Sequence, residues 1–138
     1  MTGVQTCALP ILPDIAIFGE KDLQQLFLIK RMVKEFELPI EIVAAPIIRD
    51  KDGLALSSRN IRLSEDGRRA ALVISKALRE GGHNKDLVKM ILASESKFTL
   101  DYAEVINTES FEIAGTDTKK PRTIIAGWVE GVRLLDNA

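Results

Sequence analysis

The sequence contains one cysteine and one histidine among 138 residues, and it has no long apolar run. A single thiol, Cys7, cannot form an internal disulfide, and one imidazole, His83, cannot complete a metal cluster. No segment approaches the roughly 18 apolar residues that a membrane-spanning helix requires, and residues 1–12 lack the basic start of a signal peptide. We therefore expect a cytoplasmic protein without a protein-held metal, and we assign no chemistry to His83, which we expect at the surface.

The sequence also lacks an excess of either charge, because 19 lysine and arginine residues oppose 20 aspartate and glutamate residues. A formal net charge of -1 gives no general attraction to a polyanion. With 5 prolines, 9 glycines and 46% hydrophobic residues, the composition excludes disordered and collagen-like classes, and the length suits about one domain. We therefore expect neither nucleic acid nor a membrane as a partner.

The pattern of residues 14–44 predicts a strand, a helix and a second strand. A short apolar run at 14–18 is closed by Gly19, an amphipathic period follows over 21–36, and a second β-rich run occupies 40–44. Such a unit implies two parallel strands joined by a right-handed crossover. A complete parallel sheet needs more than two strands, so we expect this unit to belong to a larger sheet.

The remaining residues predict a different kind of module. Residues 47–60 are a long polar stretch without clear periodicity, which we expect to be an ordered functional loop. Ser64 then caps a helix that stops at Gly81, and Asn84 caps another that we expect to reach about residue 98. Three β-rich runs predict a small antiparallel sheet: 102–106, 122–126 and 129–135. The predicted class is therefore α/β, with part of a parallel sheet followed by a small α+β region.

The residues after the first strand are candidates for binding a phosphate. Gly19 would let the backbone approach a ligand, and amides at the start of the helix would favour an anion. Lys21 could meet a phosphate, Asp22 could accept hydrogen bonds from ribose hydroxyls, and Gln25 on the same helix face could orient a small polar substrate. Spacing alone also fits an ordinary glycine turn with a charged first helical turn, so that alternative stays open.

A second candidate lies in the long loop, where two hydroxyls and a guanidinium follow one another at Ser57, Ser58 and Arg59. Such a set suits a mobile clamp on a triphosphate or pyrophosphate, although it also occurs in ordinary surface turns. Two phosphate-like elements that flank one parallel unit favour a nucleotide site.

Four segments of this sequence together resemble the pantoate-β-alanine ligase family. They are Phe18-Gly19-Glu20-Lys21-Asp22, Gln24-Gln25-Leu26, Asp52-Gly53-Leu54-Ala55-Leu56-Ser57-Ser58-Arg59-Asn60 and Arg133-Leu134-Leu135-Asp136-Asn137. The resemblance covers residues 13–138 and implies an ATP-dependent ligase that joins (R)-pantoate to AMP and releases pyrophosphate. The amine of β-alanine then displaces AMP to give pantothenate. The resemblance also implies a Rossmann-like nucleotide-binding domain, a requirement for Mg2+, and a cytoplasmic homodimer.

The resemblance assigns roles to the residues near the first strand. Gly19, Glu20, Lys21 and Asp22 resemble the family's ATP-binding segment, in which Lys21 faces the phosphates while Gly19 and Asp22 face the ribose. Lys21 is on this basis a catalytic residue, because it would neutralise charge on the departing pyrophosphate. Gln25 resembles the glutamine that hydrogen-bonds pantoate.

The long loop receives its roles in the same way. Ile48 occupies the place where a backbone contact holds adenine. Leu56, Ser57, Ser58 and Arg59 resemble the flexible loop that closes on the phosphates, analogous to the KMSKS loop of related nucleotidyl transferases. We expect Ser57, Ser58 and Arg59 to be catalytic, since positioning and charge stabilisation carry the reaction and no protein nucleophile is required.

The chain is expected to comprise four segments. They are a non-native leader at 1–12, the end of a Rossmann-like nucleotide-binding domain at 13–48, a hinge and phosphate-binding loop at 49–60, and an α+β lid domain at 61–138. Residues 1–12 resemble a translated sequencing adapter rather than the family, and the family's HxGH signature does not occur in the printed sequence. We therefore expect the isolated chain to be an inactive fragment, and we make no prediction about its dimerisation.

Two other interpretations stay open at this point. One is another adenylate-forming nucleotidyl transferase with a different acid substrate, which Gln25 and the two long motifs disfavour. The other is a non-catalytic module in which only the C-terminal helices and sheet fold.

Overall fold

The computed structural model describes residues 13–138, so the expected leader at 1–12 lies outside the described residues. The fold is α/β, as the sequence predicts, with a two-stranded parallel sheet and a separate three-stranded antiparallel sheet. The chain divides between Pro46 and Ile47 into two compact units, each of which contains one of the sheets.

The first unit has the predicted order of strand, helix and strand. Its elements are strand β1 (Ile15–Gly19), a 3-10 turn (Glu20–Asp22), helix α1 (Leu23–Glu35) and strand β2 (Glu41–Ala45). The two strands pair in parallel, and α1 buries Leu26 and Ile29. The parallel pairing predicted for this part of the chain is confirmed. Gly19 lies at the carboxyl end of β1, directly before the 3-10 turn that leads into α1.

The strands of this first sheet remain partly open to solvent. Ile15 and Ile17, which alternate with partly buried Ala16 and Phe18, are 55% and 68% exposed. Parallel sheets are normally covered on both faces, and their strands are accordingly apolar on both. The exposed isoleucines therefore agree with the expectation that this unit belongs to a larger sheet.

The second unit begins its regular structure with two capped helices. These are α2 (Glu65–Gly81) and α3 (Lys85–Ala93). Both predicted N-caps are present: the Ser64 hydroxyl accepts a hydrogen bond from the Gly67 amide at 3.0 Å, and the Asn84 side-chain oxygen accepts one from the Leu87 amide at 3.1 Å. Each cap satisfies an amide that has no partner within its own helix.

The prediction that the second of these helices reaches residue 98 is wrong, because α3 ends at Ala93. The Ser94 hydroxyl donates back to the Ile91 carbonyl at 2.6 Å, and the Phe98 amide donates to the Glu95 carbonyl at 3.1 Å. This turn brings the Phe98 side chain into the core, where it is 8% exposed. Burial of the ring and entry into the next strand outweigh one further helical turn.

Three antiparallel strands complete the second unit. They are β3 (Thr99–Asn107), β4 (Pro121–Val129) and β5 (Val132–Asn137), and β4 lies in the middle. The run at 129–135 does not form one strand, because Val129 ends β4 and pairs with Val132 across a two-residue turn. The turn residues, Glu130 and Gly131, have φ values of 51° and 73°, the backbone that matches a tight hairpin to the twist of its strands.

Helices α2 and α3 share the core of this unit with the sheet. Side chains from both helices and from all three strands form one buried cluster. Its most deeply buried large members are Ile74, Val88, Leu92, Ile125 and Val129. Each such side chain stabilises the fold by about 1.5 to 3 kcal/mol, so this unit has a core of its own.

Glu130 joins the hairpin turn to the start of α2. Its carboxylate accepts hydrogen bonds from the Ser64 hydroxyl at 2.6 Å and from the Ser64 amide at 2.9 Å. These two bonds hold the pKa of Glu130 below its ordinary value. Because the folded pKa is depressed, the stabilisation is present above the unfolded pKa and is lost as the pH falls through the folded pKa.

We expect Glu130→Gln to weaken the acid sensitivity of the second unit. The free energy of unfolding, measured in urea between about pH 5 and pH 3, should fall less steeply in this variant than in the parent chain. The reason is that the variant lacks one carboxyl group whose pKa is lowered by folding. Glu112→Gln, at an exposed position, is the matched control and should retain the parent slope. An unchanged slope in Glu130→Gln would contradict the assigned role.

Candidate functional site

The segment from Gly19 to Asp22 occupies the turn between β1 and α1. Gly19 is the exposed last residue of the strand, and a Cβ built on it meets no atom within 4 Å, so the space beside its backbone is open. Glu20 and Lys21 are half-buried and Asp22 is exposed. The Asp22 side chain does not cap the first turn of α1. The segment thus combines an accessible backbone, a helix start and a lysine, which suits an anionic ligand.

Gln25 lies in the first turn of α1, four residues after Lys21 and three after Asp22. It is half-buried, between exposed Gln24 and Leu26, which is 4% exposed. Lys21 and Asp22 lie in the 3-10 turn that leads into α1, so these two side chains and that of Gln25 occur within five residues at the start of this helix. This arrangement can hold a polar substrate beside a bound phosphate.

Ile48 and Leu56 lie opposite each other in a short hairpin, here called the 48–56 hairpin. The Leu56 amide donates to the Ile48 carbonyl at 2.9 Å, and Arg49 forms an antiparallel bridge with Ala55. The turn relies on Gly53, whose φ is +92°. The long loop expected from the sequence is therefore ordered. It contains antiparallel backbone pairing that its polar composition does not indicate. Both Ile48 and Leu56 are exposed, as ligand contacts require.

Ser57 follows the hairpin and precedes a 3-10 turn, Ser58–Arg62, in which Ser58 and Arg59 are the first two residues. The Ser57 hydroxyl accepts a hydrogen bond from the Arg59 amide at 3.3 Å, which caps the turn. The Arg59 guanidinium donates to the Arg133 carbonyl of β5 at 3.2 Å and is otherwise exposed. The Ser58 hydroxyl is also exposed. Three donors to phosphate oxygens are thus gathered within three residues.

Arg68 of α2 fixes the turn of the 48–56 hairpin. Its guanidinium donates to one carboxylate oxygen of Asp50 and one of Asp52, each at 2.7 Å, and Asp52 also accepts from the Leu54 amide at 3.1 Å. Arg68 and the Leu54 amide hold the pKa of Asp52 below its ordinary value. The hairpin is therefore attached to a rigid helix, and the residues that follow it start from a fixed point.

Arg49, Arg68 and Asp136 were not among the candidates from the sequence. Arg49 and Asp136 pair across 87 positions of sequence, a separation that no local pattern reveals. The one available signal was that Asp136 lies in the family-like ending, residues 133–137.

The predicted site residues fall into two groups. Gly19, Glu20, Lys21, Asp22 and Gln25 lie together in the first unit, whereas Ile48 and Leu56–Arg59 lie together in the second. His83, which received no chemistry, is exposed, and its Nδ1 lies 3.1 Å from the Thr123 hydroxyl.

Two further properties of the described residues concern metals and membranes. Within 13–138, no three histidine, cysteine, aspartate or glutamate side chains gather into a group that could hold a metal ion. None of the helices in this part of the chain is both long and apolar enough to cross a bilayer.

Comparison with known proteins finds one family. The model of the family described as "Pantoate-beta-alanine ligase" matches residues 3–138. The pantothenate synthetase of Salinispora arenicola is 43% identical, over 98% of this chain and 52% of that protein. The crystal structure of pantothenate synthetase from Thermus thermophilus superposes with a TM-score of 0.90 at 35% identity, over 98% of this chain and 52% of that one.

One further similar structure is described as a complex with ligands. Pantoate-β-alanine ligase from Francisella tularensis, described as complexed with β-γ ATP and β-alanine, is similar with a TM-score of 0.74 at 29% identity. It is matched over 98% of this chain and 47% of its own. The chain spans about half the length of the curated relatives it matches.

Proposed function

The chain belongs to the pantoate-β-alanine ligase family, and from that premise we propose that the whole protein condenses (R)-pantoate with β-alanine at the expense of ATP. The observation that carries the proposal is the turn after β1, where open backbone, a helix start and Lys21 meet beside Gln25. The relative from Francisella tularensis, described as complexed with β-γ ATP and β-alanine, supports two of the three substrates.

The reaction we propose has two steps that share one intermediate. An oxygen of the pantoate carboxylate attacks the α-phosphorus of ATP, the bond to the β-phosphate breaks, and pyrophosphate leaves. The amine of β-alanine then attacks the acyl carbon of the pantoyl-adenylate and loses a proton, while AMP leaves with the former carboxylate oxygen. Adenylation turns a poor electrophile into one with a good leaving group, so no protein nucleophile is needed.

We assign the ATP contacts to both groups of candidate residues. Lys21 neutralises the charge that develops on pyrophosphate, and Gly19 and Asp22 contact the ribose. Glu20 belongs to the same ATP-binding segment. Gln25 hydrogen-bonds pantoate on the neighbouring face of α1.

The loop residues are assigned the adenine and phosphate contacts in this proposal. The Ile48 backbone holds adenine, while Ser57, Ser58 and Arg59 follow Leu56 onto the phosphates and exclude water from the adenylate. The exposure of Ser58 and Arg59 supports this assignment, because both side chains are available to a ligand.

Mg2+ enters the proposal as part of MgATP. We assign it no protein ligand, and within residues 13–138 no three histidine, cysteine, aspartate or glutamate side chains gather into a group. Magnesium commonly binds through substrate phosphates and keeps much of its water, so the nucleotide is its natural carrier here.

We also propose a separate role for each segment of the chain. Residues 13–48 complete a nucleotide-binding domain, 49–60 form the hinge and phosphate loop, and 61–138 form the lid. We propose the cytoplasm as the location of the protein. Parallel sheets are normally covered on both faces, but the sheet of the isolated chain exposes Ile15 and Ile17. We therefore expect the isolated chain to lack ligase activity.

Gln25 provides a test of the pantoate assignment. In the whole protein, Gln25→Ala should raise the KM for pantoate about 10-fold, the value of one hydrogen bond, and leave the KM for ATP unchanged. Gln24→Ala removes the neighbouring exposed amide and should behave as the parent protein. Equal KM values for pantoate in the two variants would contradict the assignment.

The proposed function itself is tested by isotope exchange. The whole protein should exchange labelled pyrophosphate into ATP when pantoate is present and β-alanine is absent, because adenylation is reversible. Exchange that does not depend on pantoate, or no exchange, would contradict the proposal.

A further inference from the structure

Arg49 and Asp136 form a bidentate ion pair that joins the 48–56 hairpin to β5. Nη1 of Arg49 lies 2.6 Å from Oδ2 of Asp136, and Nη2 lies 3.0 Å from Oδ1. The Asp136 side chain is 3% exposed and that of Arg49 is 32% exposed. This parallel pairing fixes both the distance and the plane of the guanidinium.

The pair is satisfied on both sides. Asp136 also accepts from the Asn137 amide at 2.9 Å, and Arg49 also donates to the Gly53 carbonyl at 3.2 Å. Burying a carboxylate is unfavourable, and well-packed uncharged groups often stabilise a fold as much as a buried ion pair does. The pair is therefore weak evidence for a gain in stability, but its two parallel hydrogen bonds fix the hairpin against β5.

Arg49 joins the hairpin to β5 through its guanidinium and connects three parts of the hairpin to one another. Through its backbone Arg49 belongs to the first arm of the hairpin, through its bridge with Ala55 it faces the second arm, and through Gly53 it contacts the turn. Residue 48 precedes it directly, and Leu56 donates back to the carbonyl of residue 48. The two ends of the hairpin are the points from which the adenine and phosphate contacts are proposed to start.

We propose that Arg49 and Asp136 are positioning residues that set Ile48 and Leu56–Arg59 at the separation that one ATP molecule requires. Neither residue contacts the nucleotide, and the effect passes through the backbone of the 48–56 hairpin. This inference rests on the proposed function, because it concerns the same ATP site.

The test separates geometry from stability with three variants of the whole protein. Arg49→Met leaves the buried carboxylate of Asp136 without its partner and should lower the Tm. The double variant Arg49→Met with Asp136→Asn removes that charge, keeps an acceptor for the Asn137 amide and should regain part of the Tm. Lys120→Met breaks the exposed ion pair with Glu109, 2.9 Å long, and is the matched control.

The double variant should keep a raised KM for ATP despite its recovered Tm. We expect about a 10-fold increase, with the KM for pantoate unchanged and kcat lowered as well, because the misplaced contacts include Ser57, Ser58 and Arg59, to which catalysis is assigned. Exchange of the Leu54 and Leu56 amides with deuterated solvent should also become about 10-fold faster, while exchange in the α2 core should not change. Lys120→Met should match the parent protein throughout.

The outcomes separate this inference from the function beneath it. A parent protein without pantoate-dependent exchange of pyrophosphate overturns the proposed function and the inference together. If the parent protein is active and the double variant has the parent KM for ATP, the inference alone is overturned. Unchanged exchange of the Leu54 and Leu56 amides overturns it as well.

Discussion

Lys21→Met is expected to lower the kcat of the whole protein about 100-fold or more. Lys21 follows the open backbone of Gly19 at the carboxyl end of β1, where the proposed phosphates lie. The charge on pyrophosphate grows as the α–β bond breaks, so a fixed ammonium group stabilises the transition state more than the ground state. Methionine keeps most of the length of the side chain and removes the charge. Steady-state kinetics with saturating pantoate and β-alanine measure the effect.

The matched control is Lys30→Met, at an exposed position on α1, the helix that follows Lys21. It should retain the parent kcat, and both variants should unfold within about 1 kcal/mol of the parent protein. A Lys21→Met protein with parent kcat, or one whose loss of activity equals its loss of folded protein, would remove Lys21 from the catalytic residues.

Gly127→Ala is expected to destabilise the second unit by about 2 to 3 kcal/mol. Gly127 lies on the central strand β4, where the ring of Phe98 packs directly against its Cα. A Cβ there would overlap that ring and approach the Thr99 carbonyl oxygen to 2.7 Å. The ring is held in the core and the oxygen belongs to the neighbouring strand, so neither can move away without losing contacts. Urea unfolding of the full chain measures the change.

Gly115→Ala provides the comparison, because a Cβ at Gly115 meets no atom within 4 Å. It should leave the free energy of unfolding within about 0.5 kcal/mol of the parent value. A Gly127→Ala chain as stable as Gly115→Ala would show that the ring of Phe98 does not limit the space at β4.

Features that depend on local pattern could be read from the sequence. The crossover from β1 to β2 followed from an apolar run, a helical period and a second apolar run. The N-caps at Ser64 and Asn84 followed from short polar side chains placed before helical periods. In each case a few adjacent residues determine the structure, so tertiary contacts did not need to be known.

Features that depend on distant contacts could not be read in this way. The end of α3 at Ala93 is set by the burial of Phe98 against β4, and residues 94–98 contain no proline or glycine that would signal this end in the sequence. The break in the run at 129–135 depends on Glu130 and Gly131, which both have positive φ values. Only Gly131 is a residue type that commonly occupies such a turn.

The candidate site shows the same division. The residues proposed to contact ligands lie in two short motifs, so the sequence and the family resemblance were enough to propose them. The pair of Arg49 and Asp136 joins residues 87 positions apart, and only the folded chain brings them together. Sequence patterns thus predict which residues are available to a ligand, whereas the contacts that hold them in place require the structure.

One measurement tests the central claim most directly: the fate of oxygen-18 from the carboxylate of labelled pantoate during a single turnover of the whole protein with MgATP and β-alanine. A pantoyl-adenylate requires that one labelled oxygen leave with AMP, so mass spectrometry should find oxygen-18 in AMP and none in pyrophosphate. Label in inorganic phosphate together with ADP, or AMP without label, would contradict an adenylate-forming ligase.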